Sequence, residues 1–294
     1  MKILHIDSGS EMRGGQWQAL RLIEGLRAEG IACTLLARRG APLWDRARSH
    51  GLDVQPLSWW RVRQLSQQAD LVHAHDARAH TMAAAVSRAP LVVSRRVAFP
   101  IRSRWKYARA SRYAAVSQFV KRILTEGGVP EEKISVIYDG VPLGEVSPGG
   151  DAVVAPASAD PLKGQQLALE ATRRAGVDLL FSRDLESDLA EARLFLYLTQ
   201  SEGLGSAILM AMAAGVSVIA SNVGGIPEVI RHRENGWLTE NEPEPIASAI
   251  RELLADRPLA EALAARGRRT VEERFSLEQM IHNTINLYRQ VLAC

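Results

Sequence analysis

Residues 193–222 read RLFLYLTQSEGLGSAILMAMAAGVSVIASN. The first six, RLFLYL (193–198), form a short apolar run that ends in polar residues, as a buried strand does. Ser206 to Ala214 follows two glycines and reads as a helix. After Gly215, VSVIAS (216–221) reads as a second buried strand. Two strands joined through a helix run parallel, with the helix laid on the sheet. The turn between the first strand and the helix is Ser201-Glu202-Gly203-Leu204-Gly205-Ser206. Its glycines let backbone amides come close to a ligand, and the helix start favours an anion. Glu202 can accept hydrogen bonds from sugar hydroxyls. The alternative reading is a plain strand-to-helix turn that uses glycine for tightness.

The same alternation extends outward. Upstream lie strand DAVVAP (151–156), a helix after Lys163, strand VDLLFS (177–182) and a short helix; downstream lies a terminal block of helices. The first half reads likewise. Its strand candidates are KILHI (2–6), ACTLLA (32–37), LDVQPL (52–57), DLVHAH (70–75), PLVVS (90–94), YAAVS (113–117) and KISVIY (133–138), with helical segments between them. The helix from about Gln16 to Glu29 carries Leu20, Ile23 and Leu26 at helical spacing. Residues 139–150, DGVPLGEVSPGG, read as a linker. The fold class is therefore α/β, with two doubly wound parallel sheets and ligands at the carboxyl ends of their strands, in a cleft between facing domains.

Length and composition agree. At 294 residues the chain suggests two domains, and 47% apolar with 23% charged residues excludes wholesale disorder. Cys33 and Cys294, far apart in sequence, fit a reducing compartment. The longest apolar run, Ala207 to Ala220, is broken by Gly215 and Ser217 and is too short for a membrane span. MKILHIDSGS reads as a strand, not a signal peptide. These features predict a soluble cytoplasmic protein. Residues 1–150 carry a net charge of +9 and residues 151–294 one of −6. Between Asp76 and Glu126 there is no acidic residue, while Arg95, Arg96, Arg102, Arg104 and Lys106 alternate with Phe99, Trp105 and Tyr107. This window is either a solvated basic helix face or a surface for an anionic partner, such as an anionic membrane. It carries no nucleic-acid-binding motif, so no nucleic-acid partner is expected.

Five loops carry candidate chemistry, and each follows a predicted strand. Besides 201–206 they are Asn222-Val223-Gly224-Gly225-Ile226-Pro227-Glu228, Pro161-Leu162-Lys163-Gly164, Arg13-Gly14-Gly15 and His73-Ala74-His75-Asp76. Lys163 at a strand end can neutralise a phosphate; its bland reading is a solvated lysine before a helix. Gly14 and Gly15 repeat the pattern of amides at a helix start without forming G-x-G-x-x-G, which disfavours a dinucleotide. His73 and His75 lie at i and i+2, and no third metal ligand is evident in the sequence, so no metal is expected. Arg95 and Arg96 follow a strand and would point into the cleft.

With these loops in place, the chain resembles the retaining GT-B glycosyltransferases of family 4, the glycosyl transferases group 1. The resemblance rests on SEGLGSAILMAMAAGVSVIASNVGGIPEVIRHRENGWL (201–238), and on RGGQWQALRLIEGLRAEG, DLVHAHD, YAAVSQFVKRIL and EEKISVIYDGVP. It implies two Rossmann-like domains: residues 1–146 on the acceptor side and 147–275 for the nucleotide-sugar donor. Residues 276–294 would be a terminal helix crossing back to the first. It implies Lys163 on the donor diphosphate, Glu202 on the donor sugar as the first carboxylate of an E-x7-E motif, and His75 on the transferred sugar. It implies backbone contacts from Gly203, Leu204, Gly205 and Ser206, with Gly14 and Gly15 closing near the phosphate and acceptor. No cofactor or metal is implied, since the nucleotide sugar is the substrate. The basic first half and its acid-free window point to an anionic or membrane-held acceptor, such as a glycolipid, lipopolysaccharide or polysaccharide precursor, met at the inner face of a membrane.

The chain departs from that pattern at defined positions. Met210 stands where the family has the second Glu, which holds the ribose, and a thioether cannot replace a carboxylate. Ser158 stands where an Arg usually binds the diphosphate, and the stretch between Lys163 and Glu202 is short. Ser217 and Asp139 are minor differences. A binding or partner protein that kept the fold and lost turnover is the competing class. A sugar-nucleotide epimerase is disfavoured by the paired glycine loops.

Overall fold

The computed structural model describes residues 1–294 apart from Pro148, Ala159 and Cys294. It divides into two compact units, Met1–Asp139 together with the stretch from Leu277 on, and Gly140–Ser276. The division falls at Asp139/Gly140 instead of 146/147. The Gly- and Pro-rich stretch after Asp139 is bound within the second unit: Val141 N donates to Phe275 O, and Ser147 N to Ala214 O.

The first unit is β1 (Lys2–Ile6), α1 (Gly14–Ala28), β2 (Ala32–Ala37), α2 (Pro42–Ser49), β3 (Asp53–Pro56), α3 (Trp59–Ser66), β4 (Leu71–Ala74), α4 (Ala77–Val86), β5 (Leu91–Arg95), α5 (Arg104–Arg109), β6 (Arg112–Ala115), α6 (Gln118–Glu126) and β7 (Ile134–Val136). Its strands pair in parallel in the order β3-β2-β1-β4-β5-β6-β7. Winding reverses between β1 and β4, and at such a switch point the loops on either side diverge and leave a crevice at the strand ends. Short polar side chains start the helices after the strands. Asp76 accepts from the amides of Arg78 and Ala79 at α4, Ser58 from Arg61 N at α3, and Ser117 from Val120 N at α6. α1 packs on α2, while α3, α4 and α5 lie side by side.

The second unit is β8 (Ala152–Pro156), α7 (Gln165–Ala175), β9 (Leu180–Ser182), α8 (Leu185–Asp188), β10 (Ala192–Tyr197), α9 (Ser206–Ala213), β11 (Ser217–Ser221), β12 (Trp237–Thr239), α10 (Pro243–Ala255) and α11 (Arg257–Arg274). Its sheet is also parallel, ordered β12-β11-β10-β8-β9, with the switch point between β8 and β10. Its core joins Val153, Leu194, Leu196 and Ile219 of the sheet to Ile246, Ile250 and Leu253 of α10. β12 is absent from the sequence reading, because a three-residue strand between polar turns shows no alternation.

The chain then returns. α12 (Leu277–Leu292) belongs to the first unit and packs on α1. Its Met280, Ile285, Leu287, Tyr288 and Val291 share a core with Ile3, Leu22, Leu26, Leu71 and Val92. The approach is close: a Cβ on Gly25 of α1 would lie 2.0 Å from Cδ1 of Ile281, so a larger residue there would push the Ile281 side chain aside. Among the described residues no helix is long and apolar enough to cross a membrane. Cys33 is a half-buried free thiol, and Cys294 lies outside the described residues.

Candidate active site

In the second unit the switch point brings together the loops after β8 and β10. Lys163 follows β8 in a short 3-10 turn, whose start is held by Asp160 Oδ1 accepting from Leu162 N. Glu202 follows β10. Their side chains meet, with Lys163 Nζ 2.6 Å from Glu202 Oε2. Tyr197, at the end of β10, donates its hydroxyl to the same Oε2 at 2.5 Å, and Lys163 Nζ lies 3.3 Å from that hydroxyl. Glu202 Oε1 accepts from Gly203 N at 2.9 Å. Burial, then the Glu202 charge, hold the Tyr197 phenol well above its usual pKa, so it stays a donor.

The surrounding backbone is tied down. Asn241 Nδ2 donates to Thr199 O, Ser221 Oγ to Asn241 Oδ1, and Thr199 N to Ser221 Oγ. The loop after β11 lies against Glu202. Gly225 N donates to Glu202 O at 3.1 Å, and a Cβ on Gly224 would sit 2.1 Å from that oxygen. Gly224 also has φ +60°, so the position takes glycine on both counts. Gly203, Leu204 and Gly205 are buried, and Ser206 opens α9. Ser158 is half-buried, its Oγ accepting from Asp160 N. Met210 lies half-buried on α9.

In the first unit the switch point joins the loops after β1 and β4. Parallel register sets His5 of β1 beside His73 of β4. His5 Nδ1 lies 3.0 Å from Nε2 of His75, so one of the two nitrogens donates to the other. His73 bonds Tyr288 Oη at 2.6 Å and Ser94 Oγ at 2.8 Å. Burial lowers all three imidazole pKa values, that of His5 to about 3, so the cluster is neutral. A ligand atom from each of the three lies within 4.8 Å of the others, a grouping that sequence spacing could not show. The donor set suits a metal poorly: His73 already uses both nitrogens on hydroxyls, and the nearby Arg96 charge opposes a further cation. His75 Nδ1 is buried without a partner.

Beside this cluster, Asp7 follows β1 and takes Gln16 Nε2 on both oxygens at 3.1 Å, with Gly9 N on Oδ1. Burial, then the Asp76 charge, raise its pKa to about 6. Gly14 and Gly15 are the first two residues of α1. Arg96 Nε donates to Asp139 Oδ1 at 2.9 Å, both groups largely buried. Arg95 is buried and donates to Phe99 O, while Lys106 Nζ reaches Ala77 O and Thr81 Oγ1. Arg102 and Arg104 are exposed. Of the five candidate cations in the basic window, Arg95, Arg96 and Lys106 are tied into the fold, and Arg102 and Arg104 face solvent. His5, Asp7 and Tyr197 are the neighbours that sequence reasoning left out of the candidate set. The first two needed strand register to be found; Tyr197 looked like an ordinary strand residue.

The family model for "Glycosyl transferases group 1" matches residues 153–270, and that for "Glycosyltransferase Family 4" matches 12–145. The chain belongs to the GT-B glycosyltransferases of family 4. It is 38% identical over 105 residues to N-acetyl-alpha-D-glucosaminyl L-malate synthase of Bacillus anthracis, covering 35% of this chain and 28% of that protein. It is 46% identical over 71 residues to a GDP-mannose-dependent alpha-(1-6)-phosphatidylinositol monomannoside mannosyltransferase of Mycobacterium tuberculosis, covering 24% and 18%. These alignments therefore span under a third of each relative's length. In structure it is similar to Anabaena Alr3699/HepE, solved in complex with UDP-glucose, with a TM-score of 0.87, 19% identity, and 99% of this chain and 100% of that chain covered.

Proposed function

We propose that the protein transfers a sugar, with retention, from a nucleoside-diphosphate donor to a hydroxyl of a glycolipid, lipopolysaccharide or polysaccharide precursor. The observation that carries this reading is the meeting of Lys163 with Glu202 at the switch point of the second sheet. A lysine beside a carboxylate at a strand-end crevice suits a ligand with a diphosphate at one end and hydroxyls at the other. The M. tuberculosis relative is GDP-mannose-dependent and acts on a phosphatidylinositol monomannoside, and HepE was solved with UDP-glucose, which supports a nucleotide-sugar donor and a glycolipid acceptor.

In the reaction the bond from the anomeric carbon to the diphosphate oxygen breaks. The acceptor oxygen bonds that carbon from the same face, and its proton passes to the departing oxygen. Negative charge grows on the diphosphate. Lys163, the Leu204 and Gly205 amides and the start of α9 are the groups that stabilise it in this reading. Glu202 takes sugar hydroxyls, and no protein nucleophile or metal is required. His75 offers Nδ1 to the transferred sugar. A buried nitrogen without a partner costs about 1–3 kcal/mol, and a sugar hydroxyl placed there recovers part of that. The acceptor stays at the inner face of a membrane, on the side of the basic first unit.

Calorimetric titration with UDP-, GDP- and ADP-sugars tests the reading, followed by product analysis with the donor that gives heat. Silence with all three donor classes would favour the second reading, a partner protein without turnover, which Met210 and Ser158 motivate. A finer expectation concerns Tyr197. Tyr197→Phe leaves Glu202 Oε2 to Lys163 alone, which tightens the ion pair that a diphosphate must open. Donor affinity is expected to fall about fivefold, roughly 1 kcal/mol; an unchanged Kd would remove Tyr197 from the site.

A further inference from the structure

Among the described residues, four tryptophans and phenylalanines are exposed, Trp59, Trp60, Phe99 and Trp105, and all belong to one edge of the first unit. Trp59 and Trp60 open α3, Phe99 lies in the loop after β5, and Trp105 is in the first turn of α5. α4 packs against both α3 and α5, and because the strands are parallel all three helices start at the carboxyl edge of the sheet. Lys106 Nζ fixes the start of α5 beside the start of α4 through Ala77 O and Thr81 Oγ1. Arg95 holds the intervening loop through Phe99 O. The aromatic side chains are thus presented by supported backbone.

The charge on this edge has one sign. Arg78, Arg102 and Arg104 are exposed between the aromatic residues, and no acidic residue occurs between Asp76 and Glu126. Asp76 itself is occupied: Ser8 donates to it from N and Oγ, and Arg78 and Ala79 from their amides. Trp59 is 49% exposed and Trp60 64%, a large apolar area to leave in water on a folded unit. Tryptophan beside arginine matches the boundary of an anionic bilayer. The indole rings settle at headgroup depth and the guanidinium groups meet lipid phosphate. Exposed Val97 adds aliphatic surface, which a phosphate backbone would not reward.

We infer that the edge formed by the starts of α3, α4 and α5 is a docking face for an anionic phospholipid bilayer, with Trp59, Trp60, Phe99 and Trp105 as insertion anchors and Arg102 and Arg104 as phosphate contacts. This deepens the glycolipid-acceptor reading and rests on it for its purpose: a lipid-held acceptor has to be met at the membrane. The surface itself does not depend on turnover.

The test is co-sedimentation with vesicles of phosphatidylcholine alone or mixed with phosphatidylglycerol, with tryptophan emission read on the same samples. The full chain should partition at least tenfold more strongly to the anionic vesicles, with a blue-shifted emission. Arg102→Gln with Arg104→Gln should weaken partition about thirtyfold, at about 1 kcal/mol per charge. Trp59→Ser with Trp60→Ser should abolish most of the blue shift while leaving circular dichroism and nucleotide-sugar titration unchanged. Equal partition to both vesicle types, or binding without an emission shift, would overturn the inference. So would short duplex DNA displacing the protein from anionic vesicles, which would mark a nucleic-acid surface. Vesicle binding without any donor heat would instead reject the transferase reading and leave the docking face standing.

Discussion

Replacing Lys163 with alanine is expected to lower turnover of the nucleotide sugar by about 100- to 1,000-fold, the scale of losing one fixed donor aimed at a developing negative charge. The fold should hold. Lys163 sits in a short exposed turn, and its side chain is 31% exposed in the ion pair, so its loss costs the native state on the order of 1 kcal/mol or less. Glu202 keeps two partners, the Tyr197 hydroxyl and the Gly203 amide. Glu202→Gln should act differently. It frees Lys163 for the diphosphate while weakening the hold on sugar hydroxyls, so donor diphosphate alone should bind as well as before or better, and turnover should fall. A cycle of Lys163→Ala, Glu202→Gln and the double variant reads the coupling. Single-variant losses that add without interaction would show that the two side chains do not work as a unit.

Acid is expected to unfold the first unit steeply between about pH 6 and 4. Four buried imidazoles drive this. His5 and His80 have pKa values lowered to about 3 and about 4, and those of His73 and His75 lie well below 6.5, in each case chiefly through burial. Below pH 6.5 the unfolded chain binds a proton at each imidazole and the native unit does not. The stability they confer is complete above that pH and is lost as pH falls. Asp7 works the other way. Its pKa is raised to about 6 from 3.8, so between those values the native unit holds one proton that the unfolded chain lacks. Four sites against one leave a net uptake of about three protons on unfolding near pH 5. At about 1.4 kcal/mol per proton per pH unit the slope is on the order of 4 kcal/mol per pH unit. Over two pH units that is about 8 kcal/mol, comparable with the roughly 5–15 kcal/mol that a domain holds. Urea unfolding at pH 7 and pH 5 measures it; matching midpoints would contradict the neutral-cluster account.

The alternation of strand and helix was legible because each element carries its own signal. RLFLYL and VSVIAS are apolar runs cut by polar or glycine residues, and the glycines at 203 and 205 mark the turn between β10 and α9. The loops at strand ends followed from that alternation, and with them Lys163 and Glu202; the strand orders that set the two switch points came only from the fold. Register was not legible. His5 reads as one more residue of a buried strand, and only pairing beside His73 reveals three imidazoles in contact. Arg95 and Lys106 read as free cations in an acid-free window, yet the fold ties both to backbone oxygens, Arg95 because burial forces its charged end to find an acceptor. Trp59 and Trp60 were silent, since a tryptophan pair at a helix start reads as core until burial is known.

The bond from Tyr288 to His73 spans 215 positions of chain. A ribosome releases the whole Gly140–Ser276 unit before it releases the helix that carries Tyr288. Until then the apolar surface of Leu22, Leu26 and Ile3 lacks its cover, and His73 lacks one of its two hydroxyl partners. During synthesis the later unit is therefore free to complete its core first, while the earlier one waits for its last helix before its core can close.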